Sequence, residues 1–181
     1  MRRTIFSIVA LLSLVALMNA CSTAPKGEGE KTDLRKESDQ TLTKFRSSDR
    51  DIAKQMDDAH GYAVFPEIGK GGAIVGGAWG RGVVYERGTP IGYCEMTQAS
   101  VGAQLGGQKY SELILFENKQ ALERFKTGEW APAAQASAVA AASGAGANAK
   151  YKEGVMVYAI GLQGLMAEAS IGGQKFSYDP M

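Results

Sequence analysis

Residues 61–85 read GYAVFPEIGKGGAIVGGAWGRGVVY, and short apolar groups alternate with glycines throughout this stretch. More than half of the chain's 23 glycines lie between residues 61 and 107. Glycine inside a strand indicates a bulge, sharp sheet curvature or a close approach of two backbones. The stretch therefore predicts strongly curved β-structure, with a first short strand over 62–65 that Pro66 ends. The alternative is a backbone surface that a ligand approaches closely.

Further strands are predicted on the C-terminal side of this stretch, because short apolar or alternating segments are separated by turn residues. A short helix is expected over 118–126, where Asn118 can cap the start and Gly128 closes the end. The alanine-rich segment 131–149 has no charge, and its composition suits either a helix or a closely packed strand. The predicted strands cover residues 72–87, 91–97, 99–108, 111–116, 154–162 and 165–176.

One long helix is predicted on the N-terminal side, over residues 33–58, with apolar residues near helical spacing and Gly61 as the stop. Many short strands with two helices predict an α+β fold. We expect a mainly antiparallel, strongly curved β-sheet or barrel-like core, with an N-terminal helix and a short second helix. A single domain would cover 33–181, and its β-rich core would cover 61–178.

The first 21 residues have the pattern of a bacterial lipoprotein signal. Arg2 and Arg3 precede an apolar run over 5–17, and a small residue stands directly before Cys21. We expect residues 1–20 to be a signal peptide and Cys21 to carry acyl chains such as palmitate. Residues 21–32 are polar and rich in glycine, which predicts a lipidated flexible tether. The alternative is an ordinary cleaved signal followed by a chance cysteine.

These features predict a lipid-anchored protein of the bacterial outer membrane, facing the periplasm or the cell surface. The second cysteine, Cys94, would then have no disulfide partner, and its apolar neighbours predict a buried thiol. Removing residues 1–20 removes two arginines and no acids, so the formal net charge falls from +1 to −1. No global charge excess therefore points to nucleic acid.

Catalytic and cofactor motifs are missing from the sequence. It contains neither a phosphate-binding G-x-x-x-x-G-K-[ST] motif nor a dinucleotide-binding G-x-G-x-x-G motif. His60 is the single histidine, and no G-x-S-x-G motif is present. His60 with Asp57 and Asp58 is too small a set for a metal site, and a helix-end role is favoured for it. We expect no enzymatic activity, no cofactor and no metal.

Basic residues lie in or beside the glycine-rich turns, with aromatic residues nearby. Bases and aromatics at such positions can hold a lipid phosphate. The alternative is scattered charge that only keeps the protein soluble. The candidate headgroup-binding residues are Lys70, Arg81, Arg87 and Lys109, and Trp79 and Tyr85 are the nearby aromatics.

Three blocks carry a resemblance to the SYLF domain family. They are the run from Gly61 to Tyr85, the run GAQLGGQKYSELILF over 102–116 with the segment that follows to 125, and VYAIGLQGLMAEASI over 157–171. The resemblance covers roughly residues 34–178. It implies binding of membrane lipids, notably phosphoinositides and other anionic lipids. Lys70 and Arg81 lie inside the first block.

The resemblance and the basic turns together predict a non-catalytic lipid-binding module on a lipoprotein. Eukaryotic relatives couple lipid binding to actin through SH3 or zinc-finger modules. This sequence holds neither module, so we do not expect actin coupling to carry over. The alternative is a structural or interaction lipoprotein of the cell envelope, which would bind a protein partner through its sheet surface.

Overall fold

Eight β-strands form one curled, open sheet, with helices packed against both of its faces. The computed structural model describes residues 27–72, 75–101, 108–133, 137–161 and 168–181. The helices are α1 (Glu28–Ser48), α2 (Arg50–Asp58) and α3 (Lys119–Lys126). The strands are β1 (Gly61–Gly72), β2 (Val75–Glu86), β3 (Thr89–Val101), β4 (Gln108–Phe116), β5 (Ser137–Ala140), β6 (Val155–Gly161), β7 (Glu168–Ser170) and β8 (Gln174–Pro180).

The sheet order is β7-β5-β6-β4-β1-β2-β3-β8. Neighbouring strands are antiparallel except for β5 and β6, which are parallel. β4 and β8 are four strand spacings apart in this order, which is about 19 Å in a flat sheet. Yet Gln174 of β8 donates a hydrogen bond to Glu112 of β4 at 3.0 Å. The sheet therefore curls until its edge strand lies over its centre, and the predicted α+β, mainly antiparallel curved fold is confirmed.

Two apolar cores lie on the two faces of the curled sheet. α1 and α2 cover the convex face, where Phe45 and Ile52 are fully buried against residues such as Val64 and Leu113. α3 packs on the concave face, where Phe125 lies 5.0 Å from the ring centroid of Phe116 and 5.0 Å from that of Phe176. Both faces are thus shielded from water, which explains why β6 and the second half of β4, residues 113–116, consist almost entirely of apolar residues.

Cys94 is buried in the concave core and forms no disulfide, as its apolar neighbours predict. Burial is the main cause that raises the pKa of the thiol, and the nearby Glu112 carboxyl adds to it. Such a thiol stays protonated and is a small apolar group of the core.

The predicted end of the first strand at Pro66 is wrong, because β1 continues to Gly72. The pairing register shifts between Val64 and Glu67 on one side of β1, and between Phe65 and Ile68 on the other. A bulge at this point accommodates the proline, which lacks a backbone N–H. The Pro66 carbonyl instead accepts a hydrogen bond from the Ser111 hydroxyl at 2.6 Å.

The predicted single helix over 33–58 is two helices that meet at Asp49, which is extended with φ −160°. The Asp49 carboxylate accepts hydrogen bonds from the backbone N–H of Asp51 at 2.9 Å and of Ile52 at 3.2 Å. It therefore caps α2, as aspartate commonly does at helix starts. The first helix also begins earlier than predicted, so residues 28–32 are helical and do not belong to a flexible tether.

Two predicted strand boundaries also differ from the structure. β3 is continuous from Thr89 to Val101, so the expected break near residue 98 is absent. The strand predicted over 165–176 is interrupted by a turn at Gly172 and Gly173, where Gly173 has φ +76°. This turn separates β7 from β8. Residues 1–26, which include the predicted signal and Cys21, lie outside the described residues, as do 162–167.

The alanine-rich segment is not one continuous helix. Its described part holds the short strand β5 and a 3₁₀ turn over Gly146–Asn148. The turn is fixed to α2, because Gln55 Nε2 donates to the Gly146 carbonyl at 3.0 Å and the Gly144 N–H donates to Asp49 Oδ2 at 2.6 Å. A Cβ atom on Gly146 would lie 2.6 Å from the Asp49 carboxylate, so small residues let this segment pack closely.

Gly82→Ala should destabilise the fold by about 1–3 kcal/mol, because an added methyl group overpacks the concave core. Its Cβ would lie 2.9 Å from Phe65 Cδ1 and 3.1 Å from Cys94 Sγ, and closer still to the Val64 carbonyl. Gly69→Ala is the matched control, since no atom lies within 4 Å of its Cβ position. Urea unfolding of both variants measures the difference. Equal free energies of unfolding for Gly82→Ala and Gly69→Ala would show that the close packing at Gly82 is not required for the curled sheet.

Candidate functional site

Arg81 and Lys109 lie on the convex face of the sheet, beyond the part that α1 covers. Arg81 is on β2 opposite Glu67, and Lys109 is on β4 opposite Gly69. Gly69 also lies opposite Trp79 of β2. The side chains of Lys109 and Trp79 therefore project from the two neighbours of β1 at the same position along that strand. Directly opposed residues of antiparallel strands point to the same face. The structure therefore brings together two of the four predicted headgroup-binding residues, with an aromatic ring between them.

The contacts of these side chains are ion pairs and a cation–π contact. Arg81 lies 5.6 Å from the centroid of the Trp79 ring, and its Nη1 is 3.5 Å from Glu30 Oε2 of α1. Lys109 Nζ is 2.7 Å from Glu67 Oε1. Trp79 is 42% exposed, which is high for so large an apolar side chain. Glu95 of β3 lies opposite Arg81 as well, so the result is a mixed-charge surface around an accessible indole ring, which we call the Trp79 patch.

A groove of about 360 Å³ runs beside this patch, between α1 and strands β1 and β2. Its size lies in the range of small-molecule sites. Its cations are Lys44 and Arg81, its acids are Glu37 and Glu67, and the remaining lining is Leu34, Gln40, Thr41, Pro66 and Trp79.

α1 is held over the sheet by contacts next to this groove. The Tyr85 hydroxyl donates a hydrogen bond to Asp39 Oδ1 at 3.0 Å, and the Tyr85 ring stacks on Tyr62 with centroids 5.0 Å apart. Burial is the main cause that raises the pKa of Tyr85, and the Asp39 charge adds to it, so the hydroxyl remains a donor at neutral pH. The wall that α1 contributes to the groove is therefore fixed by a buried tyrosine.

Lys70 does not belong to the Trp79 patch. It lies opposite Ala78, which is buried in the concave core, so Lys70 is on the other face of the sheet. The bulge at Pro66 causes this difference, because it reverses the alternation of faces along β1.

Arg87 does not belong to the patch either. It lies in the turn between β2 and β3 with φ 49°, six residues from Arg81 and so about 20 Å away along the strand.

Arg87 instead lines a second groove, of about 540 Å³, at the opposite end of β2. Most charges around this groove are already paired within the protein. Arg46 Nη1 lies 2.6 Å from Asp57 Oδ1, and His60 Nε2 lies 2.9 Å from Glu86 Oε1. His60 follows α2 directly, as the sequence predicts, and its backbone N–H donates to the Phe116 carbonyl at 2.9 Å. The groove is a mixed-charge surface with no preference for one sign.

Sequence reasoning missed Lys44 and Glu30, which reach the patch from α1. Their approach to β2 depends on how the helix packs, and no local pattern in the sequence gives that. It also missed Glu112, a fully buried acid, although its place inside the apolar strand SELILF is an available signal.

Within the described residues, no group of three or more His, Cys, Asp or Glu side chains is arranged to hold a metal ion. Among the same residues, no helix is long and apolar enough to cross a membrane.

Comparison with known proteins adds two findings. The profile of the Ysc84 family, described as "Las17-binding protein actin regulator", matches residues 97–180. Beta cell expansion factor A of Aeromonas veronii is 35% identical over 125 residues, which are 68% of this chain and 48% of that protein. The chain thus spans about half the length of this relative.

Proposed function

Because this chain belongs to the SYLF domain family, also called Ysc84, we propose that it is a non-catalytic module that binds anionic lipid headgroups at the Trp79 patch. One observation carries the proposal. Arg81 and Lys109 flank an exposed tryptophan on one face, beside a groove large enough for a headgroup. The proposal places Lys70 and Arg87 outside the binding surface.

A phosphate can replace the acidic partners of this patch at little cost. The Arg81–Glu30 and Lys109–Glu67 pairs are solvent-exposed, and their acids are 60% and 52% exposed. Exposed ion pairs of this kind contribute about 0–1 kcal/mol. Hydrogen bonds from a guanidinium to phosphate are stronger and can be bidentate. An anionic headgroup would compete with Glu30 and Glu67 for the two cations once these exposed carboxylates turn away, while Trp79 is suited to the membrane–water interface.

The lipoprotein anchor forms the second part of the proposal. Residues 2–21 carry the signal pattern, and α1 begins at Glu28. Six residues lie between Cys21 and Glu28, and the seven steps from one Cα atom to the next span at most about 25 Å. Glu30, in the first turn of α1, is already 3.5 Å from Arg81. Acyl chains on Cys21 would therefore hold the Trp79 patch close to the lipid surface of the outer membrane.

A second candidate function is protein binding, which the description of the Ysc84 family favours because it names a protein partner. On this alternative, the convex surface around Trp79 would bind a protein of the cell envelope. Crosslinking in intact cells separates the two functions. Protein binding would be favoured if a defined partner crosslinks to the wild-type protein but not to Trp79→Ala, and if the wild-type protein does not bind lipid vesicles.

Arg81→Glu and Lys109→Glu should each weaken binding to anionic vesicles at least about fivefold, since one basic side chain near an anionic surface contributes about 1 kcal/mol. Flotation of protein that lacks residues 1–21 with phosphatidylglycerol vesicles measures this loss. Arg87→Glu is the matched control with the same charge change, and we expect binding near the wild-type level. Equal capture by neutral vesicles, or equal losses in all three variants, would contradict the proposed site.

Cys21→Ser should abolish incorporation of a palmitate analogue into the protein and release a soluble fraction on cell lysis. Release should be more complete when Arg81→Glu and Lys109→Glu are combined with it, because two attachments are then lost. Mass spectrometry of the mature N-terminus provides the control for signal cleavage. Unchanged labelling in Cys21→Ser would refute the anchor without affecting the headgroup site.

A further inference from the structure

Glu112 is a carboxyl group buried inside an apolar core. It lies on β4 between Tyr110 and Ile114, and its side chain points to the concave face with theirs. Its exposed fraction is 0%. A buried carboxylate is strongly unfavourable unless a positive charge or several hydrogen bonds stabilise it. No cation among the described residues forms an ion pair with Glu112.

The amide group of Gln174 is the hydrogen-bond partner of Glu112. Gln174 Nε2 donates to Glu112 Oε2 at 3.0 Å, and Gln174 is itself fully buried. Two oxygens of this pair, Glu112 Oε1 and Gln174 Oε1, have no hydrogen-bond partner within the described part of the chain. Both are acceptors when Glu112 is ionised, so neither can satisfy the other. The Tyr110 hydroxyl beside Gln174 is also buried without a partner among the described residues and can supply one donor to these two oxygens, and a proton on the Glu112 carboxyl supplies the other.

The surroundings of Glu112 also favour the neutral acid. Burial is the main cause that raises its pKa to about 7, while the hydrogen bond from Gln174 lowers it. The side chains that face it are Tyr110 from β4 and Cys94 from β3, and burial raises the pKa of both. Glu95 of β3 points to the opposite face, and Lys70 of β1 shares the concave face farther along the sheet.

We propose that Glu112 is a proton-binding site that latches edge strand β8 onto central strand β4. In the protonated state, Glu112 Oε1 donates to Gln174 Oε1, and the two side chains form an acid–amide pair with two hydrogen bonds. Loss of the proton breaks one of these bonds and leaves a buried negative charge beside the amide. The pair then no longer holds β8 over the centre of the sheet.

β8 is the strand that would respond, because it is an edge strand. Among the described strands its sheet neighbour is β3 alone, whereas β4 lies between β1 and β6. β8 also carries Phe176, whose ring stacks on Trp130 with centroids 5.3 Å apart and lies 5.9 Å from Phe65. Loosening of β8 therefore exposes part of the aromatic cluster of the concave core.

The direction of the pH effect follows from the raised pKa. The ordinary pKa of glutamate is 4.5, and in the folded protein it is about 7. The folded state thus binds this proton more tightly than the unfolded state. The stabilisation of the folded state by this proton is complete below pH about 4.5 and is lost as the pH rises through about 7.

Hydrogen exchange of the β8 amides tests the latch in the folded domain. After correction for intrinsic rates, we expect exchange roughly tenfold or more faster at pH 8.5 than at pH 5.5, since each pKa unit corresponds to a factor of ten. Glu112→Gln should remove this difference, because an amide is a permanent donor to Gln174. Glu95→Gln and His60→Gln are controls, and we expect both to retain the faster exchange of the β8 amides at pH 8.5.

A carbon-13 titration of the Glu112 carboxyl provides a second readout that needs no variant. We expect a midpoint within about one unit of pH 7. A midpoint below pH 5 would overturn the proposal, because Glu112 would then be ionised throughout the physiological range. An unchanged pH dependence of β8 exchange in Glu112→Gln would overturn it as well. Lipid flotation is independent of both measurements.

Discussion

The curl of the sheet depends on tight packing of β2 against β1 at Gly82 and of β3 against β8 at Gly92, which a Cβ atom at either position would prevent. At Gly82 an added Cβ would collide with the Val64 carbonyl and the Phe65 ring, and at Gly92 it would collide with the Tyr178 ring and lie 2.7 Å from the Asp179 carbonyl oxygen. Protein interiors are packed so densely that one extra methyl group at such a point forces the strands apart. Glycine at these positions lets the sheet curl until β8 lies over β4.

The curl creates two faces with different roles. The concave face encloses an aromatic core together with the Glu112–Gln174 pair, whereas the convex face supports α1 and α2. α1 covers only part of the convex face, and Trp79, Arg81 and Lys109 lie where this cover ends. The position of the Trp79 patch therefore follows from helix length and sheet curvature together. Its acidic partners Glu30 and Glu67 are exposed, and exposed ion pairs of this kind contribute little to stability.

Much of the fold could be predicted from the sequence, because glycine content and apolar alternation are local signals. They gave the curved sheet, the helix that Asn118 caps and the buried thiol of Cys94. The break at Asp49 was not predicted, although an aspartate three residues before Ile52 is a typical helix cap. The continuation of β1 past Pro66 could not be predicted, since a bulge depends on the pairing of neighbouring strands.

The same bulge explains why the candidate site was only partly predicted. Simple alternation from Val64 would place Lys70 on the convex face with Arg81, and the register shift at Pro66 moves it to the concave face. Arg87 lies in the turn after β2 and is separated from Arg81 by the second half of that strand, and this distance is known only once the end of β2 is known. The contribution of Lys44 depends on the packing of α1, which is a long-range contact.

Binding of anionic headgroups at the Trp79 patch can be tested directly with the two tryptophans of the chain. Trp79 is 42% exposed in the patch, whereas Trp130 is 7% exposed in the concave core. Nuclear magnetic resonance spectra of the indole N–H groups should be recorded while anionic bicelles are added, with neutral bicelles as reference. The account predicts that the Trp79 signal shifts with anionic bicelles alone and that the Trp130 signal stays in place. An unmoved Trp79 signal, or equal shifts with both kinds of bicelle, would contradict it.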